Sequence, residues 1–369
     1  MTSRERLLTA IRRETPDRVP VAPFGLGRLD PNSSLVAELI SRTDPIIDVG
    51  SGADPFLGAE CRVESRSEGD VTVTLIHTPK GTLTQRYKRT KVTSAPIEYP
   101  LKGPEDVERF LSIPYRLPEP NPSHYHEWRS KLGDEGLVMV AIGTAVCLPA
   151  SWFSPQDFCL MWADHPNLVE QLTATASERL IDYVEKLCLM GVEAFRLVGG
   201  EYVTVQLGPR GFERLVRPFD TELIRTIHKY GAVAHYHNHG PLSRWLELVA
   251  DLGMDSLDPL EAPPWGDVEM ADAKKRIGGR VCLLGNLDDM EVLDKLPEEE
   301  ILRMGAELIE EAGPDGFILG GTTSGTYGEH AAKNFIALAR LSESMATGKA
   351  KTAVWNYPTP PSRRPTFQE

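Results

Sequence analysis

The chain has 369 residues, 41% of them apolar and 25% charged, enough for the core of one large α/β unit or two ordinary ones. A net charge of −13 argues against nucleic acid or an anionic membrane as partner, because both recruit Lys and Arg. The five cysteines are scattered with no Cys-x-x-Cys pair, which speaks against a disulfide scaffold or a zinc ribbon, and no run reaches the roughly 18 apolar residues of a membrane span.

The N-terminal stretch "MTSRERLLTAIRRETPDRVPV" lacks the apolar core of a signal peptide, so a reduced, cytoplasmic setting is expected. Its charge and periodicity predict an amphipathic helix over Ser3–Arg13, with Ser3 as N-cap and Leu7, Leu8 and Ile11 as its apolar stripe. "PDRVPVAPF" stops the helix and starts an extended segment. Residues 60–93 alternate, and "VTVTLIHTPKGTLTQRYK" predicts a β-hairpin turning at Pro79, Lys80 and Gly81. The Pro-rich stretch that follows wraps a short helix at 104–111. Residues 1–136 thus read as an irregular N-terminal extension containing a hairpin.

From residue 137 to 348 short apolar runs alternate with amphipathic helices. The runs are "LVMVAIGTAV" (137–146), "VEAFRLVGG" (192–200), "AVAHYHNHG" (232–240), "SLDPLEA" (256–262), "VCLLGNLD" (281–288) and "GFILGGTT" (316–323). Helical patterns lie near 155–190, 211–230, 242–252, 267–278, 297–312 and 330–346. Buried strands separated by helices make βαβ units and a parallel sheet. Six units, the "VPVAPF" strand and one more approach the eight of a (β/α)8 TIM barrel, expected as a single domain over 1–348. The doubly wound alternative lacks its Gly-rich first turn. The tail 349–369 is Pro-rich and aperiodic. It reads as an extended or disordered arm, with Trp355 and Tyr357 suited to packing on a neighbouring subunit, as in a homodimer.

In such a barrel the chemistry sits at the carboxyl ends of the strands. The polar residues closing the runs are Glu201, His237 and His239, Asp258 and Glu261, Asn286 and Asp288, then Thr322, Thr323 and Ser324. His237 and His239 share a strand face about 6–7 Å apart, close enough to converge on one ion. With Glu201 they give three metal ligands and an open position, the pattern of a catalytic zinc; the same set suits iron(II). Against this, a polar strand end accounts for either histidine alone, and Glu201 suits a helix cap or a substrate contact. Asp258 and Glu261 suit ion pairs with Arg244 or Lys274, and Asn286 suits a loop held through backbone hydrogen bonds. His235 reads as a core histidine. His77, His124, His126, His165, His228 and His330 read as surface or packing residues, and the cysteines as small core residues.

The ordered set "RERLLTAIRRETPDRVPV", "HNHG", "DSLDPLEAPPWGD", "LLGNLD" and "GFILGGTTSGTYGEHAAKNFIALA" resembles the uroporphyrinogen decarboxylase superfamily over residues 3–346. The resemblance implies a single (β/α)8 barrel with an N-terminal embellishment. True uroporphyrinogen decarboxylases carry a Met-Arg-Gln-Ala-Gly-Arg-Tyr stretch whose arginines hold substrate carboxylates. Here "FGLGRLDPNSS" offers only Arg28, which disfavours a substrate with eight carboxylates.

The zinc-dependent methyltransferase branch, which exchanges methyl groups with a corrinoid protein, is similar at His237-Asn238-His239-Gly240, where that branch has His-x-Cys-Gly. Glu201 matches its carboxylate, and Thr323 stands where its later cysteine ligand falls. Replacing both thiolates leaves a more Lewis-acidic metal, suited to polarising an ether oxygen. The resemblance therefore implies demethylation of a small methoxylated or methylated substrate, with Zn2+ on Glu201, His237 and His239 and the methyl passed to a corrinoid carried by a partner protein. Glu201, His237, Asp258 and Asn286 are the expected catalytic residues, and Tyr202, Glu261 and Thr323 the expected substrate contacts. A metal-dependent hydrolase, a decarboxylase or lyase acting on a small acid, and a non-enzymatic binding protein remain as alternatives.

Overall fold

The structure, a computed structural model, describes residues 1–90, 94–322 and 325–348. Twelve strands are present among them: β1 (Val21–Ala22), β2 (Ile46–Gly50), β3 (Arg62–Glu68), β4 (Val71–Thr78), β5 (Gly81–Arg89), β6 (Ser94–Glu98), β7 (Leu137–Gly143), β8 (Ala194–Val198), β9 (Val233–Asn238), β10 (Ser256–Pro259), β11 (Cys282–Leu287) and β12 (Phe317–Gly321). Eight of them form one parallel sheet in the order β1-β12-β11-β10-β9-β8-β7-β2. The two ends of that sheet meet. Ile46 N donates to Pro23 O at 3.0 Å, Gly25 N to Ile46 O at 2.8 Å and Asp44 N to Val21 O at 2.8 Å, so the sheet curls into a (β/α)8 barrel. The eighth strand is "IIDVG", β2.

Strand residues alternate between two environments. Ala22, Ile46, Leu137, Met139, Ala194, Cys282, Leu284 and Ile318 form an apolar cluster of their own with Leu7, Ala10 and Ile11. Ile46, Leu137, Ala194 and Cys282 are the first residues of their strands, so the N-terminal helix covers the amino end of the barrel. Outward-facing residues such as Val138, Val140, Phe195 and Leu257 pack instead against the helices in the larger core. The amino end is thereby sealed with hydrocarbon, and polar side chains in the barrel gather toward the carboxyl end.

The N-terminal helix spans Ser3–Ile11, and its N-cap is Thr2 rather than Ser3. Thr2 wins because it closes a capping box. Its hydroxyl accepts from Glu5 N, and the Glu5 carboxylate accepts from Thr2 N. The long pattern at 155–190 divides into helices Pro155–Asp164 and Pro166–Leu189, because Pro166 serves as the first residue of the second helix and ends the first. The predicted hairpin is β4–β5, with Pro79 and Lys80 between the strands. It is the centre of a four-stranded antiparallel sheet, order β3-β4-β5-β6. The edge strand β3 is exposed along its length and carries alternating Arg and Glu, a composition that discourages edge-to-edge pairing. The helix Pro104–Leu111 packs against β5. No helix among the described residues is long and apolar enough to cross a membrane. Thr323, Ser324, Trp355 and Tyr357 lie outside the described residues.

Candidate active site

Strand register decides which side chains share the barrel mouth. His235 is level with Arg196 on β8 and Ser256 on β10, and His237 is level with Asp258. Side chains at the same register position of parallel neighbours point the same way. All three strands therefore send polar groups inward.

These groups are joined by short contacts. His237 Nδ1 lies 2.9 Å from Asp258 Oδ1, and His235 Nε2 lies 3.1 Å from the same oxygen. His235 Nδ1 is 2.8 Å from Ser256 Oγ. One step higher, His239 Nδ1 is 2.9 Å from Glu261 Oε1, and Glu261 Oε2 accepts from Gly240 N at 2.7 Å. The two rings of His237 and His239 stand edge to face with centroids 4.5 Å apart. His235 and Asp258 are sealed from solvent, His237 is nearly so, and His239 reaches the opening with its side chain 37% exposed.

The electrostatics follow from that gradient. Burial lowers the pKa of His237, outweighing the pull of Asp258, so its ring is neutral near pH 7. The bond to Glu261 raises that of His239 against a smaller burial effect. For Asp258, burial pushes upward, but the imidazoles of His237 and His235 prevail and hold the carboxyl well below its usual range. Glu261 behaves in the same way, with burial overcome by His239 and the Gly240 N–H.

Arg196 and Asp48 belong to this site and were not expected from the sequence. Arg196 Nη1 bonds Asp48 Oδ2 at 3.0 Å, its guanidinium stacks 4.4 Å above the Phe24 ring, and Nη2 approaches His237 Nδ1 at 3.0 Å. The available signal was a lone arginine inside the apolar run "VEAFRLVGG" and a lone aspartate in "PIIDVG".

The remaining expected residues are more dispersed. Glu201 opens a single helical turn after β8, where it is exposed and accepts from Gln206 Nε2 at 3.2 Å. Its carboxylate borders Gly240, where an added Cβ would stand 3.3 Å from Glu201 Oε1. Tyr202 packs edge-on against Phe158, at 5.4 Å between centroids, on the helix layer. Asn286 Nδ2 donates to Leu260 O at 2.9 Å, which ties β11 to the loop after β10. Asp288 caps the turn after β11 and accepts from Thr322 Oγ1 at 3.3 Å. Asp258 and Glu261 are paired with the histidines rather than with Arg244 or Lys274. A cavity of about 180 Å³ lies between the loops after β10 and β11 and the helix Glu298–Ala312, bordered by Glu261, Trp265, Asn286, Asp288, Met304 and Glu307.

Among the described residues, no three His, Cys, Asp or Glu side chains are already drawn together as a metal centre. The donor chemistry nonetheless suits a divalent cation. His237 is neutral, both imidazoles have a carboxylate at Nδ1 as metal-ligating histidines do, and Asp258 Oδ2 is buried with no hydrogen-bond partner. His237, His239 and Glu201 are the residues that would hold such an ion.

Residues 97–341 match the family model "Uroporphyrinogen decarboxylase (URO-D)". Uroporphyrinogen decarboxylase 1, chloroplastic, of Oryza sativa subsp. japonica is 26% identical over 163 residues, 42% of this chain and 36% of that protein. Uroporphyrinogen decarboxylase of Psychromonas ingrahamii is 28% identical over 132 residues, 33% of this chain and 34% of that protein. The matches thus span about a third of the length of these relatives. Among solved structures, a methyltransferase from Methanosarcina mazei superposes with a TM-score of 0.64 at 16% identity, covering 92% of this chain and 98% of its own. That likeness bears on the fold.

Proposed function

The chain belongs to the uroporphyrinogen decarboxylase family, and on that premise we propose that it is a methyltransferase of the family, taking a methyl group from a small methoxylated or methylated substrate and passing it to a corrinoid carried by a partner protein. The observation that carries this reading is the doubled imidazole–carboxylate unit at the barrel mouth, His237 with Asp258 and His239 with Glu261. The name of the Methanosarcina mazei neighbour agrees with it.

A zinc ion on His237, His239 and Glu201 would supply Lewis acidity at the atom the methyl leaves. The rest falls to the chain. Asp258 and Glu261 lie within hydrogen-bond distance of the two Nδ1 atoms, so the Nε2 atoms of both rings face away from these carboxylates. The hydrocarbon seal at the amino end and the burial of His237 keep bulk water from the floor of the site. Arg196, stacked on Phe24, places one fixed positive charge beside His237. The cavity bordered by Glu261, Asn286 and Trp265 has room for a single small molecule, with Asn286 oriented by Leu260 O.

Elemental analysis tests the reading. Purified protein is expected to carry about one zinc per chain, and His237→Ala and His239→Ala to lose it while keeping the fold. Full zinc content in both variants would overturn the ligand assignment.

Arg196 supports a second reading. A guanidinium at the mouth suits a substrate carboxylate, and the curated relatives are named decarboxylases. Release of carbon dioxide from small carboxylic acids by metal-free protein, abolished by Arg196→Met, would favour that reading over methyl transfer.

A further inference from the structure

The outer strand β3, Arg62-Val63-Glu64-Ser65-Arg66-Ser67-Glu68, is exposed at every residue, and no described strand pairs with its free side. The turn beside it decides which backbone groups that side presents. Gly69 and Asp70 form a two-residue turn between β3 and β4, and the register closes on Glu68 and Val71. In such a hairpin the closing pair exchanges backbone bonds, and so does every second pair behind it. Arg62, Glu64, Arg66 and Glu68 therefore bond β4, while Val63, Ser65 and Ser67 turn their N–H and C=O groups outward. No described residue bonds those three N–H groups.

The side chains of Arg62, Glu64, Arg66 and Glu68 share one face and alternate in sign. They pair along the strand, Arg62 with Glu64 and Arg66 with Glu68, and Glu64 and Glu68 also touch His77 and Arg86. All four are 40–77% exposed, so exchanging partners costs little. Charges so placed repel an arbitrary strand, yet one arrangement suits them. With a second β3 laid antiparallel and Ser65 opposite Ser65, Arg62 faces the second copy's Glu68 and Glu64 faces the second copy's Arg66. Both pairs recur on the other side of the two-fold axis. The outward backbone groups match as well. Val63 meets the second copy's Ser67, and Ser65 meets its own counterpart, in hydrogen-bonded pairs. The charged pairs then fall at the non-bonded positions, where side chains approach most closely. A slip of two residues one way sets Arg62 against Arg66 and Glu64 against Glu64. The opposite slip sets Glu64 against Glu68 and Arg66 against Arg66. Parallel pairing in register sets every charge against its like.

We propose that β3 is a self-association edge: two copies of this chain pair antiparallel about Ser65 and join their four-stranded sheets into one continuous sheet. The contact is short, so the dimer is expected in the micromolar range rather than as a permanent assembly.

Sedimentation equilibrium of the full chain over a range of concentrations tests it. Wild type is expected to pass from monomer to dimer as concentration rises, less readily in high salt because the charge pairs stay at the surface. Ser65→Pro removes the central outward N–H without removing a bond to β4, and is expected to stay monomeric. Ser65→Ala keeps that N–H and is expected to dimerise as wild type does. Glu64→Arg and Arg66→Glu each set like charges together twice in a homodimer, and each is expected to weaken association about tenfold or more. Mixed in equal amounts, these two variants restore every opposite pair, and the mixture is expected to dimerise close to wild-type strength. A wild type that is monomeric at every concentration would overturn the proposal. So would a Ser65→Pro dimer of wild-type strength, which would put the contact elsewhere on the chain. Failure of the mixture to recover would overturn it too, and that comparison decides the matter if Ser65→Pro does not fold.

Discussion

Arg196 on β8 reaches Asp48 on β2 across the whole width of β7, closing to 3.0 Å. The β7 residue level with Arg196 is Ala141, and the β2 residue level with Ala141 is Gly50. Ala141 and Gly50 are small and leave room for the guanidinium, while Met139 is the β7 residue level with Asp48. Arg196→Met should therefore cost about 1–3 kcal/mol, because it leaves Asp48 without its partner. Arg196→Lys should recover less than half of that, since an ammonium cannot bond Asp48 and stack on Phe24 in one geometry. Ala141→Leu should destabilise in the same direction by obstructing the path. Urea denaturation of the three variants measures all of this, and a loss below about 0.5 kcal/mol for Arg196→Met would contradict it.

Glu261 holds His239 with one oxygen and the Gly240 N–H with the other. In Glu261→Gln the amide oxygen can satisfy only one of these donors, and the amide nitrogen opposes the other. The expected result is a fold that melts near the wild-type temperature and zinc binding weakened about 10- to 100-fold. Calorimetric titration of zinc into the two apo proteins checks it. Equal affinities would mean that Glu261 does not support a ligand.

The fold was legible because its signals are periodic. Apolar runs such as "LVMVAIG" are buried on both faces, and the helices between them carry one apolar stripe. The rim was legible because His237, His239, Asp258 and Glu261 interrupt apolar runs at their ends. What stayed hidden depends on register. That His237 is level with Asp258 is a statement about two strands, and periodicity within one strand carries no information about it. Arg196 and Asp48 were missed for a related reason, as each is a single charge inside an apolar run whose partner lies two strands away. Thr2 was passed over as N-cap for Ser3 because both are good caps, and only the reciprocal bond with Glu5 separates them.

His228 donates to Asp255 at 2.9 Å, and Asp255 Oδ2 also accepts from Ala234 N near the start of β9. The bond to Asp255 raises the His228 pKa above its ordinary 6.5, with burial opposing. A histidine whose pKa is higher folded than unfolded stabilises the fold fully below the unfolded value, and that stabilisation is lost as pH rises through the folded value. With the His228 side chain 39% exposed, solvent screening keeps the effect within about 1 kcal/mol. Wild type should therefore exceed His228→Gln in stability at about pH 5.5 and match it at about pH 8.5. Denaturant melts at the two values decide the point. A gap that widens with pH would show that the charge on His228 is not what Asp255 holds.

Asp44 lies at the seam where β1 meets β2 and is fully buried. Its two oxygens take Arg6 Nη1 and Arg18 Nη1, each at 2.7 Å, and Oδ2 also accepts from Val21 N at 2.8 Å while Asp44 N donates to Val21 O. One carboxylate thus bridges two buried guanidinium groups, Arg6 sharing Asp17 as well, and replaces a backbone acceptor at the point where the barrel closes. Arg6 keeps a second anchor in Asp17, whereas the other carboxylate near Arg18, Glu343, is 3.8 Å away. Loss of Asp44 therefore strands Arg18 most. Asp44→Ala should cost about 3–5 kcal/mol, the range for removing one partner of a buried pair. Asp44→Asn should cost less, because its oxygen still accepts from Val21 N while the charge is gone. Neither loss should shrink appreciably in high salt, since screening reaches a buried pair poorly. Hydrogen exchange at Val21 supplies the local readout: its amide should exchange faster in Asp44→Ala by more than the global loss accounts for. A stability change under about 1 kcal/mol, or an unchanged exchange rate, would mean the seam is held by the β1–β2 backbone bonds alone.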